Sequence, residues 1–405
     1  MKTKRTIKDE GSMDRRDFIK LGGAAVAGAG ALLSTRPAVA APGGADPPKA
    51  IKRPLKMHLG SQRGASGSSA AATMQEMVRH GVTHWCGSPR TSEGRTYWVP
   101  SDIEQVMELA EQNGLICEMV ALPLLGSTHI DSERRPAIML ADDTNGARDK
   151  DIEDIWKCIE ACASAGMPAF KYNMSLLGVI RTGSTPGRGG ATYSTFRAAD
   201  ITPENAAHIT KAGIVTADMF WERINYFIQK VIPVCDEYKV MAACHPQDPG
   251  TPPGGYQGVE ENVLSTPGGK GLFKFLHLHH SRYHGLNLCC GCLAEMLWDP
   301  PREIYDIFRK LLRTERVFNI HLRNIIGRRD DFQEVYPDNG DVDLTEMVQI
   351  MAEEEYPYSI DPDHVPSVPG VSGASNQGYA YEYGCLKSYI QAVDSMSPPH
   401  GEGRR

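Results

Sequence analysis

His245, Cys289, His321 and Asp363 each stand at the apparent C-terminal end of a separate apolar, strand-like run. Two imidazoles, a thiolate and a carboxylate make a donor set for one divalent transition metal. In a β/α barrel the strand C-termini converge on one mouth, so donors far apart in sequence become one site. Each residue also has a plainer reading. A lone strand-end histidine is commonly a hydrogen-bonded rim group, and Asp363 could merely open a turn. His321 gains weight from Arg323 and Asn324 just after it, and His245 from the turn-forming His-Pro-Gln-Asp-Pro that it begins. Cys290 and Cys292 lie close enough to replace Cys289 as the sulfur donor. His277, His279, His280 and His284 crowd a helix end and read as solvated or supporting groups.

Strand parity extends the site. Successive strand side chains face opposite sides, and unpaired charge is costly to bury. In Phe318–Arg323 the apolar set Phe318, Ile320 and Leu322 fits the helix layer, leaving Asn319, His321 and Arg323 for the lumen. The same alternation pairs Asp361 with Asp363, Lys171 with Asn173, and Lys56 with His58. These point to a polar mouth.

The elements that must hold these residues alternate regularly. Strands are expected at Leu55–Gly60, Val82–Cys86, Ile116–Ala121, Ala169–Asn173, Val240–His245, Leu286–Cys290, Val317–His321 and Tyr358–Asp361. Amphipathic helices are expected at Ala70–His80, Ile103–Asn113, Asp151–Ala165, Ala217–Tyr238, Pro267–Arg282, Pro301–Arg313, Leu344–Glu354 and Tyr379–Met396. Eight such alternations predict a single (β/α)8 TIM barrel over residues 55–396. A doubly wound sheet is the alternative, but no G-x-G-x-x-G opens a helix. The polar stretches Gly126–Arg148, Gly183–Gly213 and Pro246–Pro267 follow strands and read as rim or lid loops.

Composition excludes little: 405 residues, 41% hydrophobic, 23% charged, net charge -7, with no nucleic-acid footprint. The start is read as a targeting segment. Arg15-Arg16, the apolar run from Leu21 to Leu33, and Ala38-Val39-Ala40 resemble a twin-arginine signal with its cleavage site over 1–40. Met13 is an alternative start. Residues 41–54 read as a linker and 397–405 as a disordered tail. This predicts export to the periplasm or beyond, with the twin-arginine translocase as partner and no stable membrane insertion after cleavage. The ten cysteines fall mostly inside apolar patterns and read as buried free thiols.

Taken in order, several motifs resemble the mannonate dehydratase family, whose barrel is xylose-isomerase-like. They are Tyr172-Asn173-Met174 with Arg181-Thr182, His245-Pro246-Gln247-Asp248-Pro249, and Gly285-Leu286-Asn287-Leu288-Cys289-Cys290-Gly291. Then come His321-Leu322-Arg323-Asn324, Phe332-Gln333-Glu334, Gly340-Asp341-Val342-Asp343, Pro362-Asp363-His364 and Gly378-Tyr379. The resemblance implies Mn2+, with Fe2+ or another divalent metal as alternatives, held by His245, Cys289, His321 and Asp363. It implies an active-site tyrosine at Tyr379, with Tyr381 as fallback, and dehydration of D-mannonate to 2-keto-3-deoxy-D-gluconate. Tyr379, Asp363 and His364 are the proton-transfer candidates. Arg323 or Arg181 would clamp the substrate carboxylate, with Asn173 and His58 as further substrate contacts. The chain departs from the family pattern at Gly178-Val179-Ile180, Gln247, Leu322 and Val365. A metal-dependent isomerase or epimerase is the alternative activity, and an exported carbohydrate-binding protein without turnover the third. A sugar acid is the expected partner, and the sequence allows a homo-oligomer.

Overall fold

The computed structural model describes residues 55–396 other than 93 and 372. The export signal, linker and tail read from the sequence lie outside the described residues. Eight parallel strands close into a barrel: β1 (His58–Ser61), β2 (His84–Gly87), β3 (Ile116–Ala121), β4 (Ala169–Asn173), β7 (Met241–His245), β8 (His284–Cys289), β9 (Val317–His321) and β12 (Ser359–Asp361). Each pairs with its neighbours in chain order, and β12 returns to β1. The fold is the expected single β/α barrel. Its register carries the site: Asn173 pairs with His245, Cys289 with His321, and His321 with Asp361. Residues at these strand ends therefore stand side by side around the mouth.

The surrounding helices form where apolar residues recur at helical spacing. Helix Ala217–Tyr238 buries Phe220, Ile224, Phe227, Ile228, Val231, Ile232 and Cys235 on one face, and Thr216 caps it by accepting from the Met219 N–H. Helix Pro300–Leu312 starts on proline and buries Ile304, Phe308 and Leu311. Among the described residues no helix is long and apolar enough to cross a membrane. All ten cysteines are free, and all but half-buried Cys385 are buried.

Two expectations need correction. Part of the stretch expected as a loop over Gly183–Gly213 folds as β5 (Gly183–Pro186) and β6 (Thr192–Arg197). With the hairpin β10 (Asn324–Arg328) and β11 (Asp331–Val335) they make an antiparallel sheet in the order β10-β11-β6-β5. The hairpin depends on Gly327 at φ 110°, where a Cβ would stand 2.3 Å from the Asp331 carbonyl oxygen. Second, Phe318 does not join the helix layer. Leu286 pairs with Val317 and Asn287 with Asn319, so Phe318 is an extra residue in a bulge. It packs in a small separate cluster with Cys86, Met119, Ala169 and Ala243.

Candidate active site

His245, Cys289 and His321 are the last residues of three adjacent strands, β7, β8 and β9, and Asp363 follows β12 by two residues. One donor atom from each lies within 4.8 Å of all the others. His245 Nε2 is 3.2 Å from His321 Nδ1, which is 3.6 Å from Asp363 Oδ1; Cys289 Sγ is 3.5 Å from Asp363 Oδ2. The Nδ1–H of His245 donates to the Pro246 carbonyl at 2.6 Å, which leaves its Nε2 lone pair facing the cluster.

The electrostatics suit a cation. Burial alone would raise the Cys289 thiol, but hydrogen bonding from Cys292 and the charge of Arg323 hold it well below the usual range. Cys290 and Cys292 are instead pushed up, chiefly by burial. Asp363 is buried, yet His364, His321 and Arg323 keep it ionised. His321 Nε2 is buried without a partner, so that ring meets polar groups only on its cluster side. Two imidazoles, a favoured thiolate and a carboxylate, in reach of one point, fit a divalent transition ion.

A ring of buried charge braces the cluster. Arg323 donates from Nε to Asp363 Oδ2 at 3.0 Å, from Nη1 to Glu295 at 2.7 Å and from Nη2 to Asp248 at 3.0 Å. Its side chain is 1% exposed. Gly291 makes room for it, since a Cβ there would sit 2.5 Å from the guanidinium. Arg181 is likewise engaged, by Asp248 at 2.7 Å and by Glu334. The expected clamp of a substrate carboxylate by Arg323 or Arg181 is therefore not what the fold builds: both forks are committed to protein carboxylates. Glu295 is pushed well up by burial. His364, 2.6 Å from Glu334, is raised to about 10, first by the Asp363 charge.

Above the donors lies a cavity of about 250 Å³, lined by Gln62, Lys171, Asn173, His245, His321, Asp363 and His364 among others. Asn173 stands where strand parity places it, and Lys171 with it. Gln62 escaped the sequence reading, although it is the first polar residue beyond the end of β1. Its amide donates to Asp363 Oδ1 at 2.9 Å, and its carbonyl accepts from Lys171. His58 lies elsewhere. It begins β1 rather than ending it, so it belongs to the opposite end of the barrel, 3.0 Å from Glu118. Tyr379, on helix Ala374–Met396, is half-buried beneath the Arg63 guanidinium and lines a neighbouring depression with Glu334, Asp363 and His364. Burial first, then the Asp363 charge, push its hydroxyl up to about 12. Tyr381 is exposed, with its hydroxyl 3.0 Å from Arg188.

The fold and site together define a parallel β/α barrel with a polar cavity over a His/Cys/His/Asp cluster at its mouth. Within that class, the family model for D-mannonate dehydratase (UxuA) matches residues 207–396, a stretch that contains all four donors. The mannonate dehydratase of Streptococcus agalactiae serotype Ia is 30% identical over 182 residues, 44% of this chain and 49% of that protein. That of Geobacillus thermodenitrificans is 33% identical over 153 residues, 37% of this chain and 39% of that protein. In these matches the chain spans about half or less of the length of its curated relatives. The crystal structure of mannonate dehydratase from Streptococcus suis serotype 2 is similar with a TM-score of 0.68 at 21% identity, over 87% of this chain and 98% of that one. A xylose isomerase domain protein from Planctomyces limnophilus is similar at 0.51 and 11% identity, over 85% and 100%. These structural likenesses establish the fold.

Proposed function

We propose that this chain is a metal-dependent sugar-acid hydro-lyase, with D-mannonate as the first substrate to test and 2-keto-3-deoxy-D-gluconate plus water as products. The observation that carries the reading is the convergence of His245, Cys289, His321 and Asp363 within 4.8 Å, inside the stretch similar to D-mannonate dehydratase. Manganese(II), or iron(II), held by these four would supply Lewis acidity toward the carboxylate and 2-hydroxyl of the substrate.

The chain's own groups share out the rest. A carboxylate entering the cavity meets Lys171 and His364 rather than an arginine fork. Asn173 offers an amide to a substrate hydroxyl. The elimination takes a proton from C2 and expels the 3-hydroxyl, which leaves as water once protonated; the resulting enol then becomes the 2-keto acid. Tyr379, whose hydroxyl burial pushes up to about 12, and His364 are the candidates for the acid half of this reaction. Val179, exposed at the cavity rim, stands among the residues that depart from the family pattern.

The test is a panel of aldonic acids incubated with protein loaded with Mn2+, Fe2+, Co2+ or Zn2+, assayed for 2-keto-3-deoxy acids. Conversion of at least one acid is expected; no conversion with any metal would remove the dehydratase reading. Isomerisation or epimerisation of neutral sugars in the same panel would favour the alternative activity. Export through the twin-arginine pathway is part of the proposal. Replacing Arg15 and Arg16 by lysine should hold the precursor in the cytoplasm, and unchanged delivery would show that the signal is misread.

A further inference from the structure

At the end of the barrel opposite the mouth, three chemistry-bearing side chains meet on adjacent strands. His58 begins β1, His84 begins β2, and Glu118 lies in β3. One donor atom from each lies within 4.8 Å of the others. Glu118 is there because of a bulge: Trp85 pairs with Cys117 and Cys86 with Met119, so Glu118 is the extra residue. Bulges commonly re-aim a side chain in this way.

The hydrogen bonds place a proton on Nδ1 of both imidazoles. His58 Nδ1 lies 3.1 Å from the Lys56 carbonyl, which can only accept, so Nδ1 carries the proton. Thr83 gives its hydroxyl proton to the Leu59 carbonyl at 3.2 Å, so its oxygen accepts from His84 Nδ1–H at 2.9 Å. His84 Nε2 is left with its lone pair, while His58 Nε2 donates to the Glu118 carboxylate and would release that proton on binding an ion. Backbone or hydroxyl acceptors holding Nδ1–H are the usual support of metal-binding histidines. The rings are tilted by 30° with centroids 3.5 Å apart, and His58 Nε2 lies 3.0 Å from Glu118 Oε2. Two ligands on bonds of ~2.1 Å at right angles stand about 3.0 Å apart. Glu118 Oε1 is buried and makes no hydrogen bond; burial opposes the charge of this carboxyl, but the hydrogen bond and charge of His58, and then Ser359, hold it below its usual range. The His58 and Glu118 side chains are 21% and 20% exposed, so an ion can enter.

We propose that His58, His84 and Glu118 form a second, cysteine-free site for a divalent transition ion of the zinc or cobalt type. It would tie β1, β2 and β3 together at the barrel's N-terminal end. Two nitrogens and one carboxylate leave positions for water, and this end of a barrel serves stability rather than catalysis. The site does not depend on the activity proposed for the mouth.

Cobalt(II) distinguishes the two sites, because only the mouth offers a thiolate. Titrating the full chain should bring in a thiolate-to-cobalt charge-transfer band for one equivalent and ligand-field intensity alone for another. Metal analysis after dialysis should find two ions in the wild type. His84→Ala should hold one ion and keep the charge-transfer band; His321→Ala should hold one and lose it. Glu118→Gln keeps the shape and should weaken the band-free equivalent by at least about tenfold, which covers the case in which His84→Ala does not fold. A wild type that saturates at one equivalent, or a folded Glu118→Gln protein with unchanged affinity at both sites, would overturn the proposal. The cluster would then be a plain imidazolium–carboxylate pair.

Discussion

Replacing Arg323 with methionine separates two roles for the residue, clamp or brace. In the structure it is buried against Asp363, Glu295, Asp248 and Glu334, at 3.0, 2.7, 3.0 and 3.3 Å. Methionine keeps the volume but leaves these acids short of a cation. The loss is not four separate penalties. Arg181 still holds Asp248 and Glu334, and burial already pushes the Glu295 carboxyl well up, against the pull of Arg323. Removing one partner of a buried ion pair costs about 3–5 kcal/mol, which is on the order of 10 °C in Tm for a domain of this size. Asp363 also loses its hydrogen bond from Arg323 Nε, so affinity for the mouth ion should fall about 10–100-fold. The pH dependence has a definite sign. Burial opposes ionisation of Asp248, but Arg181 and Arg323 depress its pKa; Asp363 is depressed by His364, His321 and Arg323. Groups with depressed folded pKa values stabilise above their unfolded pKa of about 4, and that stability is lost as pH falls through the folded values. The gap between wild type and Arg323→Met should thus be widest near neutral pH and narrow below about pH 4. Calorimetry across pH and a metal titration measure both effects. A variant with wild-type Tm and metal affinity but a raised KM would mean that Arg323 clamps the substrate after all.

That reversal shows where sequence stops being informative. A charge two residues beyond a strand-end histidine is visible in the sequence, but Asp248, Glu295 and Glu334 converge on it from three distant segments. The barrel itself was legible because each strand is a short apolar run bounded by turns; Ile116–Ala121, Ala169–Asn173, Val317–His321 and helix Ala217–Tyr238 have the expected bounds. The cluster of His245, Cys289, His321 and Asp363 was legible for the same reason, since strand ends locate these residues. His58 was misplaced because β1 starts three residues later than expected, which turns the far end of a strand into its beginning. Phe318 was misplaced because alternation cannot register a bulge. The antiparallel sheet was hidden by its composition. Gly183-Ser184-Thr185-Pro186 is polar and largely exposed, and it is a strand only because β6 pairs with it from nearby and β11 with β6 from far along the chain.

Three further outcomes follow from the mouth. His245→Ala and His321→Ala should each lose the mouth ion, since three remaining donors hold it too weakly; full occupancy of that site in both variants, by metal analysis, would dissolve the cluster. Tyr379→Phe should keep the ion and lower kcat by roughly 10²–10⁴-fold with little change in KM; wild-type turnover would move attention to His364. The third concerns Lys171, whose ammonium lines the cavity and donates to Gln62, while the Gln62 amide holds Asp363 Oδ1 at 2.9 Å. With Arg181 and Arg323 committed to protein carboxylates, Lys171 is the natural partner for a substrate carboxylate. Lys171→Met preserves the chain's length and its packing along β4 but removes the charge. A charge-assisted hydrogen bond contributes about 1.5–3 kcal/mol, so KM for the preferred aldonic acid should rise roughly 10- to 100-fold. The metal should stay, because Lys171 touches Asp363 only through Gln62. Steady-state kinetics decide between roles. If KM is unchanged while kcat falls by two orders of magnitude or more, Lys171 moves a proton, and the carboxylate must be bound by His364 and the ion instead.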